Sequence, residues 1–221
     1  TEDTLGLQWQ WNANPDSDWA QSGIDESGNV SDDGSYIKLN AVGRASNRPI
    51  GDYRNLLLQK WPAPEFSCIT KMNISGMADG DNAGFIHMNY LAADVTVKGG
   101  KMEVYAVKGV QQFDCDQAYT KETKELLASY DNLKEIYFRY TVKKTGTKNY
   151  VEGGLPVKEA PVETVTIEIS TDGKEYTNPV SVIAKAGRWV GVKSGVYVSH
   201  DNSVKSENKG FVTVDYVRYS R

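Results

Sequence analysis

Apolar and polar residues alternate with a period of two along most of this chain, the pattern of strands with one face buried and one face wet. Leu5, Leu7, Trp9 and Trp11 share one face of the opening segment, opposite Gly6, Gln8 and Gln10. Ile136, Phe138, Tyr140 and Val142 alternate with Glu135, Tyr137, Arg139, Thr141 and Lys143, and Val165, Ile167 and Ile169 with Thr164, Thr166, Glu168 and Ser170. Further strands are predicted over 36–42, 54–61, 66–75, 83–90, 102–108, 190–198 and 211–219. Asp79-Gly80, Gly99-Gly100, Gly153-Gly154 and Asp172-Gly173 supply turns between them. One greasy and one polar face per strand implies antiparallel pairing. Ten or more short strands then predict an all-β sandwich or barrel.

Two segments depart from the alternation. Thr120 to Ala128 collects Lys121, Glu122, Lys124, Glu125, Leu126 and Leu127, all good helix formers, and predicts a short surface helix. Thr145 to Pro161, with Gly146, Gly153, Gly154, Pro156 and Pro161, predicts a long exposed loop. Neither a linker composition nor a fixed repeat divides the chain, so residues 1–221 are read as one domain.

At 221 residues with 39% hydrophobic content, the chain can hold a core without a disulfide framework or a metal. Its 25 basic and 29 acidic residues are scattered and sum to −4, so the positive stripe that nucleic acid requires is missing. No run approaches the ~18 apolar residues of a membrane helix. The start, Thr1-Glu2-Asp3-Thr4, carries neither an initiator Met nor a leader and is read as a processed or trimmed chain. Cys68 and Cys115 match no metal or redox spacing, leaving one disulfide, buried thiols or two unlinked thiols open.

Chemistry is scarce. Glycosidic hydrolysis needs two carboxyl groups ~5 to 9.5 Å apart, and no Glu-x-Asp-x-Glu strand pattern supplies them. The pairs Asp79/Asp81 and Asp114/Asp116 fall in predicted loops and read as solvated turns. Gly-x-Ser-x-Gly and phosphate-binding loops are absent, and only two histidines occur, which excludes a centre built on several imidazoles. His87 is predicted mid-strand on the face opposite Ile86 and Met88, and His200 in a loop where it could meet a ligand. Asp79 to Gly84 matches part of a calcium loop but puts Ala83 and Tyr90 where ligands belong. No cofactor is expected, with room only for a lone structural calcium, for instance at Asp215. Five Trp and 13 Tyr are the conspicuous supply, because aromatic faces stack on sugar rings. Alternation assigns Trp9 and Trp11 to the core.

Three blocks carry a family resemblance. They are Leu5-Gly6-Leu7-Gln8-Trp9-Gln10-Trp11-Asn12 with Asn14-Pro15-Asp16, then Met77-Ala78-Asp79-Gly80-Asp81-Asn82-Ala83-Gly84-Phe85, and lastly Arg188 to Gly195 with Val214 to Tyr219. With them the chain resembles the C-terminal concanavalin A-like β-sandwich of bacterial glycoside hydrolase family 43 enzymes, the β-xylosidases and α-L-arabinofuranosidases. Residues 110–161 show no such pattern. The resemblance implies a two-sheet antiparallel jelly roll and a partner, the catalytic five-bladed β-propeller, upstream of Thr1 or on another chain, which holds an aspartate base, a glutamate acid and a supporting aspartate. None of that propeller is in this sequence. In some relatives the loop similar to Met77–Asp81 pushes an aromatic side chain toward the active-site mouth; here it offers Met77, Asp79 and Asp81.

The leading expectation is therefore a non-catalytic accessory domain of a xylan- or arabinan-degrading glycosidase, packed on the propeller and bordering its substrate site. An independent carbohydrate-binding module is the alternative, with solvent-facing aromatics from Trp61, Trp189, Tyr197 and neighbours. A lyase or hydrolase on the concave sheet comes third. Met77, Asp79, Asp81, His87, Trp189, Tyr197 and His200 are the expected contacts for oligosaccharide or partner. A periplasmic or extracytoplasmic location is favoured over a cytoplasmic one.

Overall fold

The computed structural model describes residues 6–46, 48–88, 90–109, 122–184, 191–206 and 208–221. Along the chain its strands are β1 (Trp9–Trp11), β2 (Ala20–Ile24), β3 (Tyr36–Asn40), β4 (Val42–Arg44), β5 (Leu57–Lys60), β6 (Phe66–Asn73), β7 (Asp81–His87) and β8 (Leu91–Lys98). There follow β9 (Lys101–Lys108), β10 (Thr123–Tyr130), β11 (Glu135–Glu152), β12 (Leu155–Ser170), β13 (Thr177–Ile183), β14 (Lys193–Asp201) and β15 (Phe211–Ser220). One sheet has the order β1-β5-β14-β7-β8-β9-β10, with β4 pairing β14 in parallel; the other has the order β13-β12-β11-β6-β15-β3-β2. All other pairings are antiparallel, giving the all-β sandwich that the alternation predicts.

Between the sheets lies one large core. The first sheet gives it Phe85, Val95, Val104, Val196 and Val198, and the second Met72, Phe138, Tyr140, Ile167 and Val212. These are the alternate, inward positions of each strand, so burial of that face drives sheet stacking. A smaller second core covers the outer face of the first sheet. The 50–56 segment, with Ile50, Tyr53 and Leu56, packs there on Leu58, Ile86, Ala92, Val107 and Tyr197. That double coverage explains why β7 is buried along its whole length and why β8 is nearly so.

Four sequence expectations are corrected. The segment predicted as a helix is β10, an edge strand on β9, because Leu127, Ala128 and Tyr130 pack on the core and sheet pairing outweighs a weak helical preference. The predicted 145–161 loop is exposed as expected but is strand, the far part of a β11–β12 hairpin. Glu152 pairs Leu155 across Gly153 and Gly154, both at positive φ, the geometry of a two-residue type I′ turn. Pro156 and Pro161 are tolerated because β12 has no second neighbour there among the described residues. Leu7 is fully exposed, so the opening strand begins only at Trp9, although Trp9 and Trp11 do pack on the core. His200 is in β14, not in a loop. Alternation also missed β2, β8 and β13. Leu5, Cys115, Trp189 and the Asp114/Asp116 pair lie outside the described residues.

Candidate functional site

The two ends of the sandwich differ. At one, β6 passes through Met77–Gly80 into β7, beside the end of β14 and the start of β15. Asp81 and His200 face each other across the β7–β14 ladder, with His200 Nδ1 2.7 Å from Asp81 Oδ1. The other carboxylate oxygen accepts from the Ala78 and Gly210 amides at 2.7 and 2.9 Å. Both side chains are buried. Asp81 is therefore no solvated turn acid; it pins the 77–80 loop to two strands. Asp79 stays exposed and accepts from the Gly99 amide at 2.6 Å, and Met77 leans half-buried on the core.

The outer face of the first sheet carries a second enclosed carboxylate. Asp94 Oδ1 accepts from the Tyr197 hydroxyl at 2.6 Å and from Asn82 Nδ2 at 2.8 Å, and Oδ2 accepts from Thr96 Oγ1 at 2.9 Å. Lys124 Nζ stands 3.9 Å from Oδ2. Arg44 donates to Asn82 Oδ1 and lies over the Tyr53 ring. Glu122 accepts from the Ile50 amide, which ties β10 to the 50–56 segment, and burial raises its carboxyl pKa. Beside this network, Arg44, Arg48, Tyr53, Arg54, Asn55 and Asn202 line a cleft.

At the opposite end His87 is the last residue of β7 rather than a mid-strand one; it lies on the face opposite Ile86, as expected, and that face is the inner one, against Trp61 and Tyr140. Trp61 Nε1 donates to the Tyr140 hydroxyl at 2.8 Å, and that hydroxyl lies 3.0 Å from His87 Nδ1. The Trp61 ring stacks on the imidazole. Burial holds the His87 pKa down at about 4. In the tautomer in which Nδ1 accepts from Tyr140, the imidazole proton is on Nε2, a buried atom with no hydrogen-bond partner among the described residues.

Of the expected contact residues that are described, Asp81, His87, Tyr197 and His200 are thus enclosed and bonded to their own chain, and Asp79 and Met77 border solvent. Trp61 and Tyr197 belong to opposite faces of the first sheet and form no shared groove. The Asp94 cluster escaped sequence reasoning because Asp94 follows two alanines in a strand without clear alternation. Cys68 is a free buried thiol pushed up to about 12 by burial. Asp215 lies 3.8 Å from Lys71 Nζ, and among the described residues no cluster of three or more His, Cys, Asp or Glu could hold a metal. Among the described residues no helix is long and apolar enough to cross a membrane.

The same architecture recurs in solved structures. The bifunctional GH43-CE protein of Bacteroides eggerthii is 21% identical with a TM-score of 0.67, over 98% of this chain and 24% of that one. A GH43 glycoside hydrolase engineered to display both endo-xylanase and exo-arabinofuranosidase activity is 19% identical with a TM-score of 0.71, over 98% and 38%. A xylan β-1,4-xylosidase from Bacillus halodurans C-125 is 14% identical with a TM-score of 0.62, over 99% and 37%. This chain spans less than two fifths of each of these proteins, and at such identities the likeness is one of fold. No curated protein is a significant match. The family described as the β-xylosidase C-terminal concanavalin A-like domain matches residues 1–220, and on that match the chain belongs to this domain family of the GH43 glycoside hydrolases.

Proposed function

We propose that this domain is the non-catalytic accessory sandwich of a xylan- or arabinan-degrading family 43 glycosidase, packed on the catalytic propeller and bordering its substrate site. The observation that carries the reading is the commitment of its enclosed acids and imidazoles. Asp81 and Asp94 spend both carboxylate oxygens on bonds within the domain. The His87 ring is buried against Trp61 and Tyr140, and His200 is held by Asp81. A general acid or nucleophile must reach its substrate, and these groups cannot.

The Met77–Asp79 segment is the border element in this reading. Its anchors, Asp81 on one side and the Asp79–Gly99 bond on the other, give it a fixed shape, so it would meet substrate through polar contact at Asp79 rather than through ring stacking. The test is turnover of aryl xylosides and arabinosides by the purified 221-residue chain. No turnover is expected, and sustained turnover by the chain alone overturns the proposal.

A further inference from the structure

The β11–β12 hairpin outgrows the sandwich. β6 pairs with β11 only as far as Val142 opposite Phe66, and β13 pairs with β12 only from Thr164 opposite Ile183. The Ala184 amide still donates to the Glu163 carbonyl and the Lys144 amide to Glu65 Oε1, so the two strands have no third neighbour among the described residues only from the Gly146–Val162 rung to the Glu152–Leu155 rung. At ~3.3 Å per residue this ribbon reaches roughly 20 to 25 Å beyond the body. Register shifts after Lys144 and Lys148 twist it, and Asn149 Oδ1 accepts from the Glu159 amide at the second, where Glu159 takes a positive φ of 54°. The ribbon is thus shaped in detail, although an isolated two-stranded hairpin is marginal in water.

Its tip is apolar: Val151 is 70% exposed, Leu155 71% and Tyr150 40%. Ile183, at the root, is 58% exposed. Leu7, fully exposed, sits at the same end, because Trp9 opposes Gln59 and the chain before it leaves the sandwich beside Lys60, Trp61 and the start of β6. Five of the seven exposed large hydrophobics of the described residues therefore collect on the arm and at the end of the sandwich from which it grows.

We infer that this arm clasps the catalytic body of the same polypeptide, its Val151–Leu155 tip seated in an apolar depression of that body. The inference rests on the proposed function and takes the catalytic body to precede this domain in one polypeptide, as the C-terminal family implies, with the described fold entered at Gly6 and Leu7 at the arm's end. Area decides between this occupant and a second copy of the chain. Three side chains expose at most a few hundred Å² of apolar surface, well short of the ~800 Å² a partner contributes to a stable free interface. A tethered body needs far less, since linkage supplies an effective concentration on the order of millimolar.

The experiment is amide hydrogen exchange on the 221-residue chain and on the polypeptide in which the catalytic propeller precedes it. Amides of 146–161 are expected to exchange at least about tenfold more slowly in the longer protein, and Val151→Glu with Leu155→Glu to abolish that protection while leaving the melting temperature of the 221-residue chain unchanged. Arm amides exchanging equally fast in both proteins, with other segments protected, overturn the clasp and leave the accessory role standing. Protection that appears in the short chain with rising concentration, alongside a doubled mass, overturns it in favour of self-association. Identical exchange throughout, with two independent melting transitions, overturns both the clasp and the accessory role.

Discussion

His200 and Asp81 stand directly opposite each other across two neighbouring strands, 2.7 Å apart, with the second Asp81 oxygen closing on the Ala78 and Gly210 amides. One buried carboxylate thus fastens the 77–80 loop, β14 and the start of β15. Asp81→Asn replaces an acceptor by a donor that must face one of those amides or the imidazole N–H. Leaving such groups unsatisfied costs about 2–4 kcal/mol. Urea denaturation should show a lower midpoint with an unchanged slope, and a shift below 0.5 kcal/mol would refute the pinning role.

The pH dependence of stability follows from His87. In the folded chain its imidazole stays neutral down to about pH 4, whereas an unfolded chain protonates it near the ordinary value of 6.5. The unfolded state therefore binds the extra proton first, and stability falls as pH drops from 6.5 toward 4, by on the order of 3 kcal/mol. His87→Gln keeps a polar partner for Tyr140 but cannot titrate there. Its stability measured between pH 7.5 and 5 should be flatter than that of the wild type; parallel curves would exclude His87 as the cause.

Tyr197 and Asp94 share a 2.6 Å hydrogen bond between two buried side chains. Tyr197→Phe removes one donor and keeps the ring, at a cost of about 1–2 kcal/mol. Asp94→Ala strands the Tyr197 hydroxyl, Asn82 and Thr96 together and should cost more, about 3–5 kcal/mol. Because the two residues share one bond, the double variant should fall short of the sum, and strict additivity in calorimetry would show them uncoupled.

Gly84 lies between these two residues in the sheet, opposite Tyr197 on β14 and Asp94 on β8. A Cβ there would meet the Ala93 carbonyl oxygen at 1.9 Å and the Asp94 Cα at 3.2 Å. Backbone cannot yield as a flexible side chain would, so Gly84→Ala is expected to lose several kcal/mol or to accumulate as insoluble protein. Soluble expression with wild-type melting would contradict this.

The Gly84 position shows how far the sequence could be read. Asp81-Asn82-Ala83-Gly84 was visible as a family block, yet nothing in those letters says that Asp81 answers His200, 119 residues away, or that Asn82 answers Asp94. Inward-facing strand residues such as Phe85, Phe138 and Val165 were legible because burial imposes a period of two on neighbours in sequence. β8 was not, because the 50–56 segment covers its outer face and erases the alternation.

What the sequence determined alone is therefore what local repetition encodes: an all-β chain, most of its strands, the Gly-Gly and Asp-Gly turns, and the family. What only the tertiary structure decided is where non-local partners meet. Edge pairing on β9 made a strand of residues that prefer helix, and an I′ turn made a projecting arm of apparent loop. The enclosure of Asp81, Asp94 and both histidines likewise depends on strands far apart in the chain. Such pairings are set by the packing of whole sheets, and no window of neighbouring residues contains them.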